Sequence, residues 1–239
     1  EIYFGGYSQY AKVNGDFLVK KPKNLDLRQS MILGTAGLTA LMCSFTTKAT
    51  REELLLGDNV EDVIVSGASG GVGSMAVMML NKLGCNVTAV TGKESNSEYL
   101  KSIGAKNVIN TNELNKDARP LDKGLWDGAV DTVGGKVLEN ILAQTKEAGI
   151  VASCGNAADI KLNTTVMPFI IRGVKLWGIN SVTVSNVRRK FLWSEASKLV
   201  DFDLLNKSIK EIRLEEVNDV YSKMLKGETS GRYIINLNK

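Results

Sequence analysis

The sequence contains no histidine among its 239 residues, and its three cysteines (Cys43, Cys85 and Cys154) lie far apart without a C-x-x-C pair. Zinc sites are built from clustered Cys and His ligands, so the sequence predicts neither a metal site nor a histidine base. Cys154 precedes Gly155 at a predicted strand end, where its thiol could react. A buried, inert thiol is the favoured interpretation, since free cysteine is among the most buried residue types.

The chain also has little excess charge and no long apolar run. Its net charge of +4 is small for this length and no basic block stands out, which argues against a nucleic-acid partner. The longest apolar stretch, Met31–Phe45, is too short and too rich in glycine and threonine to span a bilayer, and no charged leader opens the chain. We therefore expect a cytoplasmic protein without a membrane partner, whose 44% hydrophobic content is enough for a sizeable core.

A glycine-rich turn between 66 and 74 is the most informative feature that is present. The β-branched run Val60–Val65 predicts a buried strand, three glycines follow with the spacing G-x-x-G-x-x-G, and Ser74–Leu83 suits a helix. Such a turn lets a diphosphate approach the first helix turn, where unpaired N–H groups favour negative charge. Ser69 stands where the second glycine of the usual G-x-G-x-x-G motif lies, and could add a hydroxyl donor.

Strand-like and helix-like segments alternate from Val60 onward, which predicts a parallel sheet covered by helices on both faces. The fold class is therefore α/β, a Rossmann-type doubly wound six-stranded sheet. The predicted strands are Val60–Val65, Asn86–Val90, Asn107–Ile109, Trp126–Thr132, Gly149–Ser153 and Val174–Ile179, and the later helices are Ser95–Ile103, with Ser95 and Glu98 spaced as a capping box, Lys136–Lys146 and Met167–Ile171.

The flanks of this unit follow a different pattern and predict a second unit. A strand-like Gly6–Val19 and a helical Leu25–Lys48 precede it. The segments that follow it are a helix near Val187–Leu199, a strand near Ile209–Arg213, a helix near Glu215–Lys226 and a last strand Tyr233–Leu237.

The residues after the second strand indicate which dinucleotide is bound. NAD-preferring folds place an acid there to bond the ribose 2′-hydroxyl. Here Thr91, Gly92 and Lys93 offer a hydroxyl and a cation where an acid would repel a 2′-phosphate, which favours NADPH. Glu94 is the exception, because its carboxylate could instead meet a ribose hydroxyl.

Several stretches together resemble one family over nearly the whole chain. The sequence resembles the zinc-independent medium-chain dehydrogenase/reductase superfamily, and specifically its YhdH/AcuI branch of NADPH-dependent acryloyl-CoA reductases, whose members have also been named quinone oxidoreductases. The matching stretches are Gly34–Ala40, Ser66–Ser74, Glu98–Ala105, Asp131–Val133, Thr164–Ile170 and Gly231–Arg232. The glycine loop marks only the superfamily, whereas Glu98–Ala105 and Thr164–Ile170 are more specific to the branch.

The resemblance implies a set of cofactor contacts. It places Thr91, Gly92 and Lys93 at the 2′-phosphate, with Lys93 where relatives often carry arginine, so that the bidentate fork is lost. Thr111 falls where an arginine can assist in relatives. The other implied contacts are Ser69, Gly70, Gly71 and Val72 at the diphosphate, Asn156, Ile170 and Ser181 along the nicotinamide half, and Arg232 at the cofactor or at CoA phosphates. Core packing remains the alternative for Ile170, and a strand-end turn for Ser181.

The resemblance also implies a domain organisation. Residues 1–24 would end a GroES-like substrate domain that mostly precedes residue 1, residues 25–180 would form the NADPH-binding domain with a leading interdomain helix, and residues 181–239 would return to the substrate domain. The tyrosine that this family places near the nicotinamide would lie in the missing part. No catalytic residue can therefore be named.

The favoured function is hydride transfer from NADPH to the C=C bond of a short enoyl-CoA such as acryloyl-CoA. Reduction of quinones would use the same residues, so the sequence does not separate the two. A non-catalytic NADPH-binding protein or an inactive fragment is the alternative of another class. Strand six, Val174–Ile179, is apolar on both faces and would form a sheet edge, so pairing with a second copy in a homodimer is expected.

Overall fold

The structure is a computed structural model that describes residues 5–53 and 61–238, without the side chains of 49–53. The first predicted strand is therefore seen only from Glu61 onward, and Val60 lies outside the described residues. Eight α-helices and eight strands are assigned in this part of the chain.

Six parallel strands form the main sheet in the order β3-β2-β1-β4-β5-β6. This is the strand order of a dinucleotide-binding doubly wound sheet, and it confirms the predicted fold class. The strands are β1 (Asp62–Val65), β2 (Asn86–Thr91), β3 (Ala105–Asn110), β4 (Trp126–Asp131), β5 (Thr145–Ser153) and β6 (Lys175–Gly178).

Helices cover both faces of this sheet, as the alternating segments predict. In chain order the helices are α1 (Leu27–Glu53), α2 (Gly71–Lys82), α3 (Ser97–Ser102), α4 (Gly135–Ala143), α5 (Met167–Arg172), α6 (Asn186–Leu199), α7 (Phe202–Asn206) and α8 (Val217–Leu225), of which α8 contributes no buried residue. The α7 helix is absent from the predicted elements. It is only one turn long, and its start is fixed by the Asp201 side chain, which accepts bonds from the N–H groups of Asp203 and Leu204.

The two faces of β1 show how strand alternation divides the core. Val63 and Val65 are fully buried in a cluster with α1, α2 and α6, whereas Ile64 is fully buried in a second cluster with α4. Because successive side chains point to opposite faces, one continuous apolar run serves both layers. This double burial holds the carboxyl ends of β1, β2 and β4 at one fixed edge.

The long α1 helix is broken at Gly34, whose φ of 46° and ψ of −151° are not helical. By length and composition its segment Leu27–Lys48 could cross a bilayer, but 67% of its most apolar window is buried within the structure. It packs against α2, α6 and β5. The helix is therefore a core element of the fold.

The expected strand over Gly6–Val19 is wrong. These residues form no strand, and only Gly15–Phe17 makes a turn of 3-10 helix, begun by the Asn14 side chain, which accepts from the Asp16 N–H at 3.0 Å. Most of this segment is exposed, and none of the described strands pairs with it. An apolar alternating segment forms a strand only where a partner supplies the hydrogen bonds.

Two local expectations on the helices also differ from the structure. Ser95 does not cap a helix, since Glu94–Asn96 forms a 3-10 turn, α3 begins at Ser97 and the Glu98 carboxylate pairs with Lys101 at 3.4 Å. The helix expected to reach Lys146 ends at Ala143, because β5 already begins at Thr145 and pairs with Trp126 of β4. Strand pairing there overrides the helical spacing.

A small parallel sheet completes the chain. It pairs β7 (Ile209–Ile212) with β8 (Arg232–Ile235), close to the predicted strands. The segment before β8 returns to the glycine turn, where the Gly231 N–H donates to the Ser69 carbonyl at 2.8 Å. This return brings Arg232 to the start of α2.

Candidate cofactor site

The glycine turn joins β1 to α2 at the carboxyl edge of the sheet. Gly67 has a φ of 58°, and a side chain there would collide with Thr132. Gly73 lies directly against the Gly67 carbonyl, so even a methyl group would not fit between α2 and the turn. The two glycines therefore seat the first turn of α2 against the strand end, which is the geometry that holds a diphosphate.

Buried polar bonds fix the turn to the neighbouring strand. The Ser66 hydroxyl donates to the Asp131 carboxylate at 2.7 Å, and the Thr132 hydroxyl donates to the Ser66 carbonyl at 3.0 Å. Asp131 is fully buried and also accepts bonds from the Gly134 N–H and the Ser153 hydroxyl. Burial raises the pKa of Asp131, while these hydrogen bonds act in the opposite direction. The carboxylate ties together the ends of β1, β4 and β5.

The residues predicted at the 2′-phosphate lie together, next to Ser69 of the residues predicted at the diphosphate, and we call this region the adenosine end of the site. The Ser69 hydroxyl is 3.2 Å from the Thr91 hydroxyl, which also accepts from the Lys93 N–H at 3.2 Å. A side chain on Gly92 would lie 3.7 Å from the Thr111 hydroxyl. The structure thus gathers Ser69, Thr91, Gly92, Lys93 and Thr111 at the ends of β1, β2 and β3.

Lys93 is held by the returning carboxyl-terminal segment. Its Nζ donates to the Thr229 carbonyl at 2.8 Å, two residues before the Gly231 bond to the turn. We define residues 228–232 as the strap, since they cross the glycine turn and reach the Lys93 side chain. Gly231 lies in the strap with a φ of 68°, a left-handed backbone conformation that favours glycine.

Arg232 lies directly over the start of α2. A side chain on Gly71 would lie 3.1 Å from its Nη1, and one on Gly34 would lie 3.1 Å from its Nη2. The guanidinium makes one long bond to the Met31 carbonyl at 3.4 Å, and its buried Nε has no hydrogen-bond partner among the described residues. Burial lowers the pKa of Arg232. A partly desolvated cation beside Gly71 and the helix start fits an anionic diphosphate.

The three residues predicted along the nicotinamide half do not all lie together. A cavity of about 480 Å³ is lined by the ends of β5 and β6, from Ser153 to Asn156 and from Gly178 to Asn180. Asn156 is part of this wall, whereas Ile170 and Ser181 are not among its lining residues. Ile170 is 67% exposed on α5. The structure therefore brings only one of these three residues to the cavity.

Cys154 also lines this cavity. It is half-buried, its Sγ lies 3.5 Å from the Asp131 carbonyl, and it hydrogen-bonds the buried Cys43 thiol. That bond, and then burial, raises the pKa of Cys43. The favoured interpretation of Cys154 as a buried thiol is therefore wrong on burial, since the residue is only half-buried.

Comparisons with known proteins bear on this site. The family model described as zinc-binding dehydrogenase matches residues 71–199. Acrylyl-CoA reductase AcuI of Ruegeria pomeroyi is 39% identical over all of this chain and 71% of its own length. The crystal structure of Escherichia coli K-12 YhdH with bound NADPH superposes with a TM-score of 0.92 at 42% identity, covering 99% of this chain and 72% of that one. The Bacillus subtilis protein YhfP, with NAD bound, superposes with a TM-score of 0.87 at 39% identity, covering 98% and 70%.

The described residues do not fit the zinc ion that the family description names. The chain has no histidine, and no group of three or more His, Cys, Asp or Glu side chains is gathered in the described ranges. Cys43 and Cys154 alone are too few for a tetrahedral site.

Proposed function

We propose that this chain, which belongs to the medium-chain dehydrogenase/reductase family of AcuI and YhdH, is an NADPH-dependent reductase that transfers hydride to the C=C bond of a short enoyl-CoA such as acryloyl-CoA. One observation carries the proposal: the glycine turn, the Thr91–Lys93 loop and Arg232 converge on one edge of the sheet. The bound NADPH of YhdH and the name of AcuI supply the cofactor and the substrate class.

NADPH supplies the hydride, and the residues of this chain hold and orient it. Gly71 and Val72 present the first N–H groups of α2 to the diphosphate, and Ser69 and Gly70 belong to the turn that leads to them. Arg232 adds a partly buried cation at that point. Both groups are held in place, because α2 is seated on Gly67 and the strap is bonded to Ser69. The cofactor is thereby fixed before the substrate arrives.

The Thr91–Lys93 loop selects the phosphorylated cofactor. Thr91, Gly92, Lys93 and Thr111 offer two hydroxyls, an open glycine and a cation, and the bonds of Thr91 and Lys93 given above involve no carboxylate. Glu94 is exposed at the start of the following turn. NADPH is therefore preferred over NADH, although the relative YhfP was crystallised with NAD.

Substrate reduction takes place at the nicotinamide half of the cofactor, which we assign to the cavity beside the ends of β5 and β6. Asn156, Ile170 and Ser181 are the proposed residues along the nicotinamide half, with Asn156 on the cavity wall. We assign no proton donor among the residues in view. Residues 1–24 and 181–239 are the proposed parts of the substrate domain, and 25–180 the cofactor domain.

Quinone reduction is the second candidate, because the name of the relative YhfP describes a quinone oxidoreductase. Both activities would use the same cofactor contacts. The purified protein is incubated with NADPH and either acryloyl-CoA or a quinone, and absorbance of the reduced nicotinamide is followed. Faster consumption with acryloyl-CoA supports the proposal. No consumption with acryloyl-CoA, alongside turnover of a quinone, replaces it with the second candidate.

The protein is further proposed to act as a cytoplasmic homodimer. The β6 strand is at the edge of the sheet, and its Trp177 is 56% exposed. Ile170 and Ile171 of α5 are also largely exposed. A bare apolar edge is open to pairing with the same strand of a second copy. The mass in solution at micromolar concentration tests this: a dimer supports it, and a monomer contradicts it.

A further inference from the structure

A second cavity of about 370 Å³ opens beside the glycine turn. It lies between α3 and β7, and Ser69 of the turn and Ser230 of the strap are among its lining residues. Hydroxyl groups are frequent in its walls, since Tyr99, Ser102 and Ser208 also line it. It is continuous with the adenosine end of the site through Ser69, whose hydroxyl touches Thr91.

Asn96 places an unsatisfied donor at this cavity. It is one of the lining residues, and its side-chain Nδ2 is buried without a hydrogen-bond partner. Only one other buried side-chain N or O atom in the described residues lacks a partner, the Nε of Arg232. An unpaired buried donor costs about 1–3 kcal/mol, so such groups are rare and call for an explanation. Both residues border the proposed cofactor site.

The backbone connects Asn96 to the loop that selects the phosphorylated cofactor. Its N–H donates to the Lys93 carbonyl at 3.0 Å, which closes the turn between β2 and α3. The turn therefore carries the Thr91 hydroxyl, the Lys93 cation and the Asn96 amide on one short segment. Three charged residues line the cavity: Glu98 faces solvent and pairs with Lys101, Lys207 is exposed, and Lys210 lies over the Tyr233 ring at 5.5 Å.

We propose that Asn96 is a specificity-determining residue whose amide donates a hydrogen bond to the 2′-phosphate of NADPH, at the mouth of this cavity. The inference rests on the proposed use of NADPH and deepens it. A phosphate has three acceptor oxygens, so Lys93 and Asn96 bind it together. A neutral amide suits this position, because a carboxylate of the same shape would repel the phosphate.

The test compares Asn96→Asp and Asn96→Ala with wild type. Binding of NADPH and NADH is measured by the fluorescence of the reduced nicotinamide, and binding of 2′,5′-ADP and 5′-AMP by displacement. We expect Asn96→Ala to weaken NADPH and 2′,5′-ADP about tenfold and Asn96→Asp about a hundredfold, with changes below about threefold for NADH and 5′-AMP. Asn218→Asp, the same change on the exposed α8 helix, is the matched control and leaves all four unchanged.

Two results would overturn the inference: an Asn96→Asp variant that binds NADPH within threefold of wild type, or equal losses for NADPH and NADH. Asn96→Asp is isosteric, so it tests the contact even if Asn96→Ala fails to fold. If only the proposed function fails, the wild type still binds 2′,5′-ADP and the Asn96 variants still lose that binding, but the wild type reduces no enoyl-CoA.

Discussion

Replacement of Arg232 by methionine separates cofactor binding from stability. The Arg232 guanidinium is partly buried, its Nε has no partner among the described residues, and its side-chain bond to the Met31 carbonyl is long at 3.4 Å. Substituting an apolar side chain of similar length removes a desolvated charge, which is often neutral or stabilising. The cofactor-free variant should therefore unfold with a free energy within about 1 kcal/mol of wild type, or higher.

The same change removes the cation from the diphosphate. A hydrogen bond to a charged group contributes about 1.5–3 kcal/mol, so one such bond corresponds to about ten- to hundredfold in affinity. Because NADPH and NADH share the diphosphate, both should weaken to the same extent. At a cofactor concentration about one hundred times the wild-type Kd, wild type gains about 2.7 kcal/mol, and a variant about one hundredfold weaker gains only about 0.4 kcal/mol.

Fluorescence titration and thermal unfolding with and without NADPH measure these effects. Arg232→Lys is the matched variant: it keeps the charge, loses the fork geometry and should fall between wild type and methionine. An Arg232→Met variant that NADPH stabilises as strongly as wild type would refute the diphosphate contact. A cofactor-free variant that loses more than about 2 kcal/mol would contradict the separation of cofactor binding from stability, since Arg232 would then also be a structural residue.

Four further perturbations test the site and the edge. Lys93→Asp should weaken NADPH binding by about a hundredfold or more, because an attraction of about 3 kcal/mol between the lysine and the 2′-phosphate is replaced by repulsion. NADH binding should weaken far less, and equal losses in fluorescence titrations would contradict the 2′-phosphate assignment. Gly73→Ala puts a methyl group against the Gly67 carbonyl and should lower the free energy of unfolding by about 2–4 kcal/mol, measured with denaturant. Gly15→Ala, which has open space around it, is the control and should lower it by under about 1 kcal/mol. Similar losses for the two variants would argue against close packing of α2 on the turn. Gly231→Ala meets the Ser208 carbonyl and a φ of 68°, so it should displace the strap and weaken NADPH and NADH together; unchanged titrations would show that the strap does not support the site. Trp177→Lys should shift the mass in light scattering from dimer to monomer, and a dimer that persists would move the interface elsewhere.

The main sheet was predictable because its residues repeat one pattern. Val63, Ile64 and Val65 place apolar side chains on both faces of β1, as a parallel strand covered by helices requires. Glycines with positive φ mark helix ends, such as Gly84 and Gly104 with φ of 87° and 113°. Local residue types carry this information. The strand over Gly6–Val19 failed because its formation depends on a partner, which local residue types do not supply.

The site was predictable where it lies on a contiguous motif. Ser69, Gly70, Thr91 and Lys93 lie at or just after strand ends, and parallel strands bring those ends to one edge. Asn96 carries no such signal, because an unpaired amide is visible only once its surroundings are known. The same holds for the bond from Lys93 to Thr229, which joins residues far apart in sequence.

Mixing the purified protein with NADPH and acryloyl-CoA, and following both the absorbance of the reduced nicotinamide and the thioester product, tests the proposed reduction itself. One NADPH should be consumed for each propionyl-CoA formed, and NADH should support a lower rate at equal concentration. Tight binding of the cofactor with no consumption across a panel of enoyl-CoA thioesters would contradict the proposed reaction.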